Sequence, residues 1–149
     1  MSTLKEKLSE TIKSSMKSGD KQTLAFARNL YAAVRKKEID EKITVDDAAL
    51  QGLVSTSLKQ RRDSVEQFKK GGRDDLVAQE EAEIVFLEQF LPPQLSETEL
   101  RALVQEAVAQ TGAKEPKDMG KVMGVLMPKI KGRADGKLVN EIVRSNLSE

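Results

Sequence analysis

A basic, glycine-rich stretch between residues 117 and 137 has the residue types that bind a phosphate backbone. Its core reads DMGKVMGVLMPKIKGRADGK, in which a glycine or proline recurs every four residues. Residues 117–137 contain six basic and two acidic side chains, so the local charge is +4 in a chain whose formal net charge is +1. Lysine, arginine, small residues and helix ends are the groups that contact phosphates in proteins. We take this stretch, called the basic segment, as the first candidate for a functional site.

Helical periodicity predicts how the basic segment presents these residues. A helix is predicted at about 117–130, and its apolar face (Met119, Val122, Met123, Leu126 and Ile130) is typical of a core. The opposite face carries Lys117, Lys121, Gly124 and Pro128. A glycine inside a helix costs about 1 kcal/mol relative to alanine. Gly120 and Gly124 therefore indicate a close approach, either by another helix or by a phosphate backbone.

The second half of the basic segment is predicted to be a turn followed by a last helix at about 136–147. Pro128 lacks an N–H and its ring clashes with the carbonyl of residue 124, so the first helix should kink or end near it. Asp135 is a candidate N-cap for the last helix. Exposed side chains on that helix would extend the basic surface; they are Lys137, Asn140 and Arg144.

The composition excludes several kinds of site. The chain has neither cysteine nor histidine, which excludes disulfides, thiolate zinc sites and the usual general base of hydrolytic triads. We predict no metal site and no cofactor. GRADGK does not match a P-loop, and Gly132 and Gly136 are one residue too far apart for the GxxG loop of a KH domain. Aromatic residues for base stacking are few, so recognition of a folded nucleic acid by shape and phosphates remains.

The rest of the chain is predicted to fold into helices that carry the basic segment. Apolar residues recur at helical spacing and no strand-like alternation is convincing, which predicts an all-α fold. Pro92-Pro93 must stop a helix and stiffen the connection. We predict a four-helix unit over residues 1–92 and a three-helix unit over 94–149, joined by this proline hinge.

Local signals set the predicted helix limits. The other five helices are expected at about 3–18, 20–37, 45–70, 74–90 and 96–111. Ser96 with Glu99 forms the clearest capping box, and Thr44 with Asp47 resembles another. Residues 38–43 are interpreted as a charged connector. Met16 and Tyr31 are predicted to face the core.

Arg61 interrupts an apolar stripe on the third helix. The fourth helix carries an acidic run, Glu80, Glu81, Glu83 and Glu88. We predict that this run is a solvated face, and the alternative is pairing with Arg61, Arg62 or Arg73.

No apolar run approaches the ~18 residues that span a bilayer, and the N-terminus lacks the core of a secretory signal. These absences favour a cytoplasmic location.

Three stretches carry a family resemblance. They are KQRRDSVEQF at 59–68, GGRDDLVAQEEAEIVFLEQFLPPQLSETEL at 71–100 and DMGKVMGVLMPKIKGRADGKLVNEIV at 118–143. Together they resemble the YqeY family over essentially the whole chain. The last stretch is also similar to the tail of the B subunit of the glutamine-dependent aspartyl/glutamyl-tRNA amidotransferase. The resemblance implies RNA-facing residues at Lys121, Gly124, Lys129, Lys131, Arg133, Lys137 and Asn140.

The resemblance also implies a two-part helical fold and an association with misacylated tRNA, either directly or within an amidotransferase or synthetase complex. The resemblance further implies a carbon–nitrogen ligase activity with glutamine as amide donor. The residues themselves do not favour catalysis by this chain alone. Ser14 and Ser15 are predicted to lie in an exposed, lysine-containing helix without the Gly/Ser-rich loop of an amidase, and we find no phosphate cradle. We therefore predict a tRNA-binding accessory module, with a protein-interaction module as the alternative.

Overall fold

The computed structural model describes residues 3–147. These residues form seven α-helices and one short 3₁₀ turn, which confirms the all-α prediction. The chain divides into two compact units, Met1–Leu91 and Pro92–Glu149, with four helices in the first and three in the second. That each unit folds as a separate domain stays a prediction.

The first unit buries one apolar cluster between its four helices. They are α1 (Leu4–Ser18), α2 (Lys21–Glu41), α3 (Asp47–Lys70) and α4 (Asp74–Glu88). Leu8, Val34, Leu50 and Leu58 are among the fully buried members of this cluster. Phe86 packs against both Phe26 and Phe90, with ring centroids 5.8 and 5.5 Å apart. Aromatic pairs at this separation add to the energy of apolar burial.

Several helix limits and facing residues in the first unit differ from the prediction. Residues 38–41 continue α2, because Lys36–Asp40 and Lys37–Glu41 form i,i+4 ion pairs at 3.0 and 2.7 Å. Asp46 caps α3 in place of Thr44, since its carboxylate accepts the Ala49 N–H. Met16 is 57% exposed and Tyr31 is 41% exposed, so neither faces the core.

The acidic run on α4 is not uniformly solvated. Arg61 on α3 lies 3.4 Å from Glu80 and 4.0 Å from Glu83, and all three side chains are at least 70% buried. The pairing alternative is therefore the one that the structure shows for these two glutamates. Arg73 pairs with Asp75 at the start of α4, at 3.1 Å.

The second unit is a small three-helix core. Its helices are α5 (Glu97–Thr111), α6 (Met119–Ile130) and α7 (Gly136–Leu147), and a 3₁₀ turn at Pro116–Asp118 precedes α6. Ser96 and Glu99 form the predicted capping box. Buried residues from all three helices meet in one cluster that includes Val104, Leu126 and Val143.

α6 ends near Pro128, as predicted, although the proline itself lies inside the last turn of the helix. The helix continues to Ile130, and the Lys131 N–H donates to the Met127 carbonyl at 2.9 Å. Gly124 and Pro128 both lie on the exposed side of α6. Water can therefore hydrate the Gly124 carbonyl that Pro128 leaves without its helical partner.

Candidate nucleic-acid interface

The outer face of α6 combines cations with residues that have little or no side chain. Lys121, Gly124 and Pro128 are exposed, whereas Val122 and Leu126 are fully buried on the opposite side. The predicted division of this helix into two faces therefore matches its burial pattern. Met127 adds one apolar side chain, 44% exposed, next to the glycines.

The two glycines of α6 leave an open surface. A Cβ atom built on Gly120 or Gly124 would meet no neighbouring atom within 4 Å. Packing of another helix of this unit therefore does not explain why these positions lack side chains. A ligand or partner from outside the unit can reach the helix backbone there, so the phosphate and partner-helix alternatives both remain open.

The outer face of α7 is also basic. Lys137, Asn140 and Arg144 are exposed, and the opposite face buries Val139 and Val143. Asp135 precedes the helix: its carbonyl accepts the Val139 N–H at 3.0 Å, and its carboxylate lies 3.4 Å from the Lys137 backbone nitrogen. This geometry fits the expected N-cap and supports the start of α7.

Three of the candidate lysines form ion pairs within the unit. Lys117 lies 3.0 Å from Glu115, Lys121 lies 3.9 Å from Asp118, and Lys129 lies 3.6 Å from Glu106 on α5. The lysine side chains are 77%, 72% and 39% exposed. Exposed pairs of this kind contribute at most about 1 kcal/mol. These lysines can therefore exchange an acidic partner for a phosphate at small cost.

The Asp118 carboxylate, beside Lys117 and Lys121, is fixed by backbone hydrogen bonds. It accepts the backbone N–H groups of Lys114 and Glu115 at 3.1 and 3.2 Å. These hydrogen bonds lower the pKa of Asp118, and the nearby charges of Lys121 and Lys117 lower it further. Asp118 is thus ionised at neutral pH, and it fixes the turn from which α6 and Lys121 project.

Two candidate cations have no ion-pair or hydrogen-bond partner for their side chains among residues 3–147. They are Lys131, which follows the last residue of α6, and Arg144 on α7, and both are exposed. Lys114 has the same properties, and it lies outside the basic segment defined from the sequence, which begins at residue 117. Its spacing of three residues from Lys117 was the available signal.

Arg133 differs from the other candidates because its guanidinium is used inside the unit. Its Nε donates to the Pro93 carbonyl at 3.1 Å, and its Nη1 lies 3.4 Å from the Lys129 carbonyl. The side chain is half-buried, unlike that of Lys131. The structure therefore brings Arg133 to the base of the basic surface, where it contacts backbone of its own unit.

The comparison with protein families is decisive for membership. The model of the family described as "Yqey-like protein" matches residues 5–147. The chain belongs to the YqeY-like family. The match covers both helical units and confirms the resemblance seen in the sequence.

Curated relatives of this YqeY-like chain share the name "Altered inheritance of mitochondria protein 41, mitochondrial". The protein of Pyrenophora tritici-repentis is 33% identical over 86% of this chain and 71% of its own length. Those of Lachancea thermotolerans and Vanderwaltozyma polyspora are 34% and 29% identical, over 73% and 75% of this chain. The aligned parts cover 60% and 64% of these two relatives.

These relatives overturn one expectation. The chain was expected to be cytoplasmic because residues 1–10 do not resemble a secretory signal and the given sequence has no long apolar run. The relatives are named as mitochondrial proteins, which contradicts that location. The inference failed because the absence of a secretory signal does not distinguish the cytoplasm from an organelle. Within residues 3–147, no helix combines the length and apolar character that a membrane crossing requires.

Proposed function

We propose that this chain is a tRNA-binding accessory module that uses the exposed basic face of its C-terminal unit. The observation that carries the proposal is the outer face of α6, where Lys121 flanks two glycines whose Cβ positions are open. A phosphate backbone can approach such a face closely, and Lys131 and Arg144 have no ion pair to break within residues 3–147. The similarity of residues 118–143 to the amidotransferase tail supports tRNA as the nucleic acid.

The remaining candidate residues would contribute to binding in different ways. Lys117, Lys129 and Lys137 would contribute charge, and Asn140 would contribute an uncharged donor on α7. Arg133 would act mainly through its contacts with the backbone. Lys114 joins the set because it is exposed beside Lys117.

Salt dependence tests this proposal directly. Each phosphate that a protein neutralises releases counterions, so affinity falls steeply with salt concentration. Contact with about four phosphates predicts a loss of roughly a hundredfold in tRNA affinity between 50 and 200 mM salt. A fluorescence titration of the full chain with total tRNA measures this loss. Absence of binding at 50 mM salt, or binding that is indifferent to salt, would contradict the proposal.

The amide-transfer chemistry is proposed to belong to a partner of the chain. The Ser14–Ser15 pair offers no activated nucleophile, because both hydroxyls lie within hydrogen-bond distance of the Thr11 carbonyl, at 3.2 and 2.7 Å. Ser15 is moreover buried, whereas the sequence had suggested an exposed pair. Purified chain mixed with glutamine, ATP and misacylated tRNA is expected to release no glutamate. Glutamate release in proportion to the chain would overturn this part.

A protein-interaction module is the second candidate function. The exposed Met127 beside Gly120 and Gly124 favours it, since small residues allow a partner helix to approach and methionine adapts to varied surfaces. This candidate predicts association with a protein that is insensitive to salt, together with no preference for RNA. The same titration therefore separates the two candidates.

A further inference from the structure

The turn that presents Lys131 is held by residues from the segment that enters the C-terminal unit. We call residues 131–133 the basic turn and residues 92–95 the entry segment. The Leu95 N–H donates to the Arg133 carbonyl at 2.8 Å, and Gln94 Nε2 donates to the Gly132 carbonyl at 2.8 Å. Arg133 returns the contact by donating from Nε to the Pro93 carbonyl. The two segments are thus joined by three hydrogen bonds across 38 to 40 residues of sequence.

Gln94 is the centre of this arrangement. Its amide nitrogen also donates to the Pro92 carbonyl at 3.1 Å, so one side chain joins both segments. An amide NH₂ supplies two donors, and both are used here on backbone acceptors. The side chain is half-buried and carries no charge. It therefore adds no net charge for phosphate binding.

The conformation of the basic turn itself needs support. Gly132 has φ +74°, which places it in the left-handed region, and its Cβ position lies 3.7 Å from Pro92 Cδ. A glycine in this region has more alternative conformations than other residues. The hydrogen bonds from the entry segment select one of them, and they thereby fix where the Lys131 side chain starts.

We propose that Gln94 and Arg133 are positioning residues for nucleic-acid binding: they hold the basic turn so that Lys131 is presented in one orientation. This inference rests on the proposed function. It assigns Arg133 a role through its planar guanidinium and not through its charge. It also adds Gln94, an uncharged residue far from the basic segment in sequence, to the binding site.

The test compares four variants of the full chain in titrations with tRNA over a range of salt concentrations. Gln94→Ala removes the two hydrogen bonds of the Gln94 amide without a change in charge. Gln105→Ala removes an exposed glutamine of α5 as its matched control. Arg133→Lys keeps the charge but loses the planar fork of donors. Lys131→Ala removes a proposed phosphate contact. Circular dichroism and thermal unfolding verify that each variant is folded.

We expect Gln94→Ala and Arg133→Lys each to weaken binding about three- to tenfold without altering the slope of log affinity against log salt. Lys131→Ala should instead lower that slope by about 1. Gln105→Ala should bind as the wild type does. Full affinity in either Gln94→Ala or Arg133→Lys, or a lower slope in Gln94→Ala, would overturn the inference.

Hydrogen exchange of the Leu95 amide gives a second readout that needs no RNA. Exchange in the free chain should accelerate at least about threefold in Gln94→Ala and Arg133→Lys, because the basic turn opens more often. It should slow when tRNA binds to the wild type. Unchanged Leu95 exchange in both variants would show that Gln94 and Arg133 do not hold the basic turn against the entry segment. If the wild type does not bind tRNA, the proposed function is contradicted. That result is distinct from a failure of the inference, in which the wild type binds tRNA and the variants bind equally well.

Discussion

Two groups of charged side chains, one in each unit of the chain, differ in exposure and in pairing. In the first unit Arg61 lies between two glutamates of α4, and the exposed fractions of the Arg61, Glu80 and Glu83 side chains are 30%, 16% and 18%. In the second unit Lys117 and Lys121 are more than 70% exposed. The first group is committed to internal pairing, and the second is available to a ligand.

The internal group is not an ideal ion-pair network. Arg61 Nε and Glu80 Oε2 are buried without a hydrogen-bond partner in the described structure. Burial raises the pKa of Glu83, while the charge of Arg61 opposes this shift. A buried charge costs stability unless it is well paired. Charge alone therefore does not mark a functional surface, because exposure and pairing decide what each charged side chain can bind.

The largest expected effect is the loss of Arg61. Arg61→Ala leaves the largely buried Glu80 and Glu83 side chains without their cation, which should lower the free energy of unfolding by roughly 2–3 kcal/mol. Arg101→Ala is the matched control, since its pair with Glu97 is more than 50% exposed on both sides and should cost about 0.3–0.5 kcal/mol. Urea unfolding measures both values. Equal losses in the two variants would break the distinction between the two kinds of charge.

Gly124→Ala sharpens the comparison from the side of the second unit. The added Cβ meets open space, so the helix should gain about 1 kcal/mol of stability. The same methyl group should weaken tRNA binding by keeping the phosphate backbone away from α6. Thermal unfolding and tRNA titration measure the two effects.

Gly52→Ala is the matched control for that variant. Gly52 lies inside α3, and its Cβ position is also open. Gly52→Ala should therefore raise stability by a similar amount and leave tRNA affinity unchanged. If both variants bind tRNA equally well, the open face of α6 does not contact RNA.

The smallest effect concerns the pH dependence of stability. The pKa of Glu83 is raised in the folded chain, so the native state holds a proton more tightly than the unfolded state. Its contribution to stability is therefore greatest below the unfolded pKa and is lost as pH rises through the folded pKa. Glu83→Gln should be more stable than the wild type at neutral pH, and the difference should shrink towards pH 4. A constant difference across this range would contradict the assignment.

The sequence predicted the elements whose signals are local. Ser96 with Glu99 identifies the start of α5, because a capping box depends on neighbouring residues alone. The predicted helix limits were wrong where ion pairs between side chains extend a helix, as in α2 beyond Lys37. The sequence offered pairing of Arg61 with the acidic run only as an alternative, since that pairing depends on how α3 packs against α4.

The candidate surface shows the same limit. Periodicity separated the outer faces of α6 and α7 from their buried faces, because burial in a small bundle follows the helical repeat. The contacts of Gln94 and Arg133 could not be predicted, since they join segments about 40 residues apart. Lys114 lies just before the basic segment, where the glycine and proline spacing that defined the segment has not yet begun.

The most direct test of the account changes the same number of charges in each unit. The first variant is Lys121→Ala/Lys131→Ala/Arg144→Ala, and the second is Lys21→Ala/Lys59→Ala/Lys70→Ala, which removes three exposed lysines of the first unit. The measurement is the slope of log tRNA affinity against log salt. The account predicts that the slope falls by about 2 to 3 in the first variant and stays near the wild-type value in the second. Equal slopes in the two variants, or a larger loss in the second, would contradict it.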